Sequence, residues 1–202
     1  KFGLSEKTGI DIANEKAGFI PGPEWKEKNN PEDPIWRLGD TYHLSIGQDN
    51  LQVTPVQMAV AVAAFANGGK ILEPRVLKEV KNTQGRTIIQ TKTKIRRELD
   101  VTPEHLLVIR EGMRLTATLI GTAPVMATLP ISIGAKTGTA ELGVDRQRVN
   151  SWFIGFAPFD NPKIAIATAL EGGHVSNLVG ATTATKMMLE WLIIYRPDML
   201  GI

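Results

Sequence analysis

The sequence predicts an α+β fold: an antiparallel sheet with helices on both faces. Three observations carry this. Strand candidates follow one another late in the chain, at residues 134–141, 149–157 and 163–170, with a tight Asp160-Asn161-Pro162 turn before the third, as in an antiparallel meander. The second and third have apolar residues at successive positions, so both of their faces need cover. Residues 56–66 are small and apolar nearly all round, and a helix without a polar face is a buried one that packs on a sheet.

In chain order, residues 1–50 are turn-rich, because Pro21, Pro23, Pro31 and Pro34 forbid long regular elements. Trp25 and Trp36 read as anchors that pin this irregular stretch to a core. Thr54-Pro55-Val56-Gln57 is a helix start, with a capping threonine, proline at the first helical position and Gln57 closing a capping box. Gly68-Gly69 ends that helix. Within residues 71–100, strands at 76–80 and 87–90 flank an Asn82-Thr83-Gln84-Gly85 turn, giving a peripheral hairpin. The basic run at residues 92–97 reads as a solvated strand edge. A second helix begins at Thr102-Pro103-Glu104, runs to about Thr118 and stops at Gly121; residues 122–130 are a link. In the second strand Trp152, Ile154 and Phe156 share one face, and Phe153, Gly155 and Ala157 the other. The final helix runs from Ser176 or Asn177 to Tyr195, carrying Leu178, Met187, Met188, Trp191, Leu192 and Ile194, with the methionine pair as core filler.

A chain of 202 residues is long enough for a sizeable core and one or two domains. A net charge of +2 with interspersed signs argues against a nucleic-acid protein driven by a basic surface. There is no cysteine, hence no disulfide or thiolate chemistry, and no apolar run reaches the length of a membrane span. The chain starts at Lys1, which reads as a fragment boundary with any anchor upstream. His43, His105 and His174 are far apart and lack metal-ligand spacing, so no metal or other cofactor is expected. His174 follows Glu171-Gly172-Gly173 at a strand end and reads as a solvated loop histidine.

The chemically loaded stretch is Lys136-Thr137-Gly138-Thr139-Ala140, on the first strand of the meander. Lysine and glycine both weaken strand packing, so a run combining them with two hydroxyls is unusual in a strand that only supports a core. The tripeptide alone is weak, since Lys7-Thr8-Gly9 repeats it. A phosphate loop is excluded: Ala135 stands where that motif needs glycine, and a strand follows instead of a helix. A lysine that merely protects a sheet edge is the competing reading.

The ordered set of stretches decides. Residues 2–11, Gly39-Asp40 with Ser45-Ile46-Gly47-Gln48, residues 53–59, Lys136-Thr137-Gly138-Thr139-Ala140, and residues 152–158 with Asp160-Asn161-Pro162-Lys163 together resemble the C-terminal half of a penicillin-binding protein transpeptidase domain, closest to the class B, elongation-type penicillin-binding protein 2 branch. The chain departs from the family at Asp49, where a glycine is usual. The resemblance implies a β-lactamase/transpeptidase-like fold, with residues 1–202 as the C-terminal portion of one domain. It implies a peptidoglycan D,D-transpeptidase that cross-links D-Ala-D-Ala stem peptides through an acyl-enzyme and is acylated by β-lactams. The family signature adds Ser-x-x-Lys and Ser-x-Asn to Lys-Thr-Gly. None of Ser5, Ser45, Ser132, Ser151 or Ser176 has lysine three residues on or asparagine two residues on. By resemblance, nucleophile and base lie upstream, and this chain by itself is inactive.

Carried over residue by residue, the resemblance gives Lys136 a catalytic charge that attracts the substrate carboxylate and helps move protons. Thr137 and Thr139 offer hydroxyls to that carboxylate, Gly138 admits substrate close to the backbone, and the Thr139 N–H is an oxyanion donor. Location at the periplasmic face of the cytoplasmic membrane, an anchor outside this chain and elongation-machinery partners are likewise implied. The family's sheet has five strands, two of them from the N-terminal part. The three available here are therefore expected to leave residues 163–170 as an apolar open edge that drives association. Two alternatives stay open: a non-catalytic penicillin-binding-protein-like binding module, and a β-lactam sensor or serine β-lactamase.

Overall fold

A computed structural model describes residues 1–177 and 179–202. Its centre is a three-stranded antiparallel sheet. The chain reaches it through helices α1 (Pro23–Asn29), α2 (Leu38–Ser45) and α3 (Pro55–Ala66), strands β1 (Lys70–Leu72), β2 (Glu79–Lys81), β3 (Thr87–Gln90) and β4 (Ile95–Glu98), and helix α4 (Pro103–Thr116). The meander follows as β5 (Gly134–Leu142), β6 (Arg148–Ala157) and β7 (Ile164–His174), and helix α5 (Ala181–Tyr195) closes the fold. Among the described residues no helix is long and apolar enough to cross a membrane.

Both faces of the sheet are covered, as the doubly apolar strands require. On one face Phe156 packs with Val62 of α3, Met113 of α4 and Phe159. On the other, Ala135, Phe153 and Ala157 meet Ala181 and Leu189 of α5. Helix α3 is anchored by Gln57, which is 2% exposed. Its Oε1 accepts from the Thr54 N–H at 2.9 Å, completing the capping box, and its Nε2 donates to the carbonyls of Glu6 and Ala17 at 2.9 and 2.6 Å. One side chain thus caps a helix and fixes the N-terminal loop across it. Gly18 follows from this arrangement: it has φ +68°, and an added Cβ would stand 2.6 Å from the Leu4 carbonyl and 2.8 Å from the Gln57 Oε1. Trp25 packs on Phe19 with ring centres 5.3 Å apart, and the Trp36 indole donates to Thr41 Oγ1 at 2.9 Å.

Three expectations need correction, and one needs its partner strand named. The strand expected at 76–80 is confined to Glu79–Lys81, because the N–H groups of Val76 and Leu77 donate instead to the Asp11 carboxylate at 2.6 and 2.9 Å. Part of the basic run is paired: Ile95–Glu98 forms a ladder with Lys70–Leu72, a pairing across more than twenty residues that local pattern does not encode. The last helix starts at Ala181; Leu178 lies outside the described residues. That start is set from the sheet, since Ser151 Oγ of β6 accepts from the Ala181 N–H at 2.9 Å while Gly180 offers no side-chain cap. Finally, Met187 and Met188 are 63% and 44% exposed, because α5 covers an outer face of the sheet and only its Ala181, Thr185 and Leu189 side is buried.

Candidate functional site

Strand β5 begins in the core and ends in the open. Ala135 is fully buried, and Gly134 leaves room for the Phe156 ring, whose Cζ would stand 2.5 Å from an added Cβ. Two residues later the strand runs along an edge of the sheet, with β6 the one strand paired to it among the described residues. Lys136, Gly138 and Ala140 lie opposite Ile154, Trp152 and Asn150, and so share the face on which α3 packs. Thr137 and Thr139 lie opposite Phe153 and Ser151, on the face of α5.

A cleft of about 810 Å³ lies along this edge. Trp152, Ile154 and Met58 give it apolar surface, residues 16–18, residues 46–47 and Glu171 also line it, and residues 136–140 form one side. Lys136 is exposed in it; its ammonium donates to the Thr137 carbonyl and, among the described residues, pairs with no carboxylate. A lysine serving an internal ion pair would look different. Gly138 meets nothing nearer to an added Cβ than Trp152 Cβ at 3.5 Å, so its missing side chain opens cleft space and relieves no internal crowding.

The main chain of β5 faces outward at Thr137 and Thr139. The Thr137 carbonyl takes the Lys136 ammonium, and the Thr139 carbonyl takes the Gln48 amide at 3.4 Å. In an antiparallel strand a residue's N–H and C=O point to the same edge, so the Thr139 N–H is presented there too. The Thr137 hydroxyl shares a 2.8 Å hydrogen bond with the Thr122 hydroxyl. Sequence pattern marks neither Thr122 nor Gln48 as a site residue. Thr122 sits in a link with no periodicity, and nothing local marks its reach to β5; Gln48 ends the Ser45-Ile46-Gly47-Gln48 stretch, whose spacing does not encode a contact with β5. Ser151 is held on the opposite face by its bond to Ala181, and exposed His174 bonds Ser176 Oγ at 2.7 Å without lining the cleft.

The arrangement supplies an unpaired cation, an open strand edge and an outward N–H, which suits an extended peptide ending in an anion. Comparison with known proteins places the fold. The chain is 33% identical to the peptidoglycan D,D-transpeptidase MrdA of Acinetobacter baumannii over 207 residues, covering 96% of this chain and 30% of the relative. It superposes on the crystal structure of Pseudomonas aeruginosa PBP2 in complex with WCK 5153 with a TM-score of 0.76 at 30% identity, covering 96% of this chain and 42% of that one. A Helicobacter pylori PBP2, solved as a complex with MreC, gives a TM-score of 0.67 at 27% identity, covering 95% of this chain and 34% of that one. The chain therefore spans about a third of the length of the curated relatives it matches. Residues 1–189 match the family model described as the penicillin binding protein transpeptidase domain, and the chain belongs to that family.

Proposed function

We propose that this chain is the substrate-strand portion of a peptidoglycan D,D-transpeptidase of the elongation type, working at the periplasmic face of the cytoplasmic membrane. The observation that carries the reading is Lys136, exposed and free of any carboxylate partner, on the open edge of β5 within the cleft. The stem peptide adds to that edge as an extended strand, its terminal carboxylate drawn to the Lys136 ammonium. Thr137 and Thr139 contribute hydroxyls to the same carboxylate, and the carboxylate of a β-lactam takes the same place. The Thr139 N–H donates to the oxygen that becomes negative as the acyl-enzyme forms. The nucleophilic serine and its base come from residues outside these 202, since none of the five serines has the required spacing. The anchor lies outside the chain as well. The H. pylori PBP2–MreC complex supports an elongation-machinery protein as partner.

The test is acylation by fluorescent penicillin. The full-length protein labels, and residues 1–202 alone do not. Lys136→Ala in the full-length protein lowers the labelling rate by roughly a hundredfold, the scale of one lost electrostatic contact to a developing charge. Normal labelling of Lys136→Ala removes the role given to Lys136. A full-length protein that binds stem peptide yet never labels is the non-catalytic binding module instead.

A further inference from the structure

Residues 75–97 hold eight of the chain's 23 Lys and Arg and one of its 21 Asp and Glu, a net of +7 in a chain whose total is +2. The rest of the chain is therefore acidic, at −5. Internal pairing uses only part of this excess. Lys81 meets Glu79 at 3.1 Å, Lys94 meets Glu73 at 2.6 Å, and Arg96 and Arg97 share Glu6. Among the described residues Arg75, Lys78, Arg86 and Lys92 meet no carboxylate within ion-pair distance, and all four are exposed.

The segment is also uncovered. The β2–β3 ribbon is a separate two-stranded sheet, and every residue from 81 to 90 is exposed. A two-stranded ribbon without a covering layer is marginal in water. Ile88 and Ile89, on opposite faces of the ribbon, are 62% and 50% exposed. At its base a second cleft of about 530 Å³ runs between Val56, Ala59 and Ala63 of α3 and Leu72, with Arg75 and Lys78 also lining it. Cations alone suit any polyanion. Cations interleaved with exposed aliphatic side chains and an apolar groove suit an amphiphile with an anionic head.

We propose that this ribbon and the groove at its base dock on an anionic phospholipid surface, a contact separate from the cleft along β5. The unpaired cations face headgroup phosphates, and Ile88 and Ile89 enter the acyl boundary edge-on. The experiment is vesicle flotation of the full-length protein with its anchor removed, which separates lipid-bound protein from aggregates because aggregates sink. Vesicles are phosphatidylcholine alone or an equal mixture with phosphatidylglycerol. The protein floats with the mixed vesicles only. It is released when salt is raised from about 0.1 M to about 1 M, which shortens the screening length from about 10 to about 3 Å. The variant Arg75→Glu/Lys78→Glu/Arg86→Glu/Lys92→Glu lowers the floated fraction on the order of tenfold or more. Ile88→Ser/Ile89→Ser lowers it as well, and its melting transition stays in place because the ribbon lies outside the core. No flotation with either vesicle, or equal flotation with both, overturns the proposal. So does displacement by polyglutamate with no effect of the isoleucine variant, which assigns the ribbon to an acidic polypeptide.

Discussion

Gly134 and Gly138 lie four residues apart on one strand and do opposite things. Gly134 sits under Phe156, whose ring is stacked on Phe159 at 5.8 Å and capped by the Arg110 guanidinium at 5.3 Å, so the ring has no room to retreat. Gly134→Ala therefore lowers the unfolding free energy by about 1–3 kcal/mol, measured by urea denaturation. Gly138→Ala brings its methyl to ordinary contact distance from Trp152 and into the cleft. Its stability stays within about 0.5 kcal/mol of the parent. Its penicillin labelling in the full-length protein falls roughly tenfold, because a displaced ligand loses its aligned geometry. Unchanged labelling would show that nothing approaches the backbone there. The motif alone could not separate these two glycines, since what distinguishes them is the side chain across the strand pair.

At the scale of elements, the α1–α2 corner is held by charge. The Lys26 ammonium, on a side chain only 10% exposed, reaches both Asp40 carboxylate oxygens at 2.9 and 2.8 Å and Asp33 at 3.3 Å. Asp40 also accepts from the Arg37 N–H at 2.6 Å, capping α2. The Lys26 bond first, and the Arg37 N–H second, hold the Asp40 carboxyl below its ordinary value of 3.8. The bond to Asp40 raises Lys26 above 10.5, against partial desolvation. Asp40, being depressed, stabilises the fold fully above its unfolded pKa, and this is lost as pH falls through its lower folded value. Lys26, being raised, stabilises fully below its unfolded pKa, and this is lost as pH rises through its higher folded value. The emission of Trp25 and Trp36 should thus stay flat between these limits. Asp40→Asn should shift it already at neutral pH; an emission equal to the parent's in that variant would remove the lock. The turn-rich prolines announced an irregular corner here, but the meeting of Lys26, Asp33 and Asp40 needs the folded chain.

At the scale of the molecule, the sheet ends on an open strand. Among the described residues strand β7 pairs with β6 on one side alone, and Leu170 on it is 37% exposed. An unpaired, partly apolar edge is a template for another chain. Residues 1–202 by themselves should self-associate with rising concentration in sedimentation velocity. Leu170→Lys should suppress this without moving the melting temperature, because the residue is not part of the buried core. A concentration-independent monomer would mean that the edge is protected in solution.

What the sequence determined by itself were the features written in neighbouring residues: the capped starts of α3 and α4, the alternation that makes β6 apolar on both faces, and the motif on β5. Such signals act within one helical turn or one strand pleat, so they can be read without the fold. Only the tertiary structure decided where β2 and α5 begin, which side of α5 stays exposed, and that Lys136 stands free in a cleft. Each of those depends on a partner distant in the chain: Asp11 for β2, Ser151 for α5, and the loops before α3 for the cleft. No local pattern contains the distance between such groups; the packing of α3 and α5 on opposite faces of one sheet does.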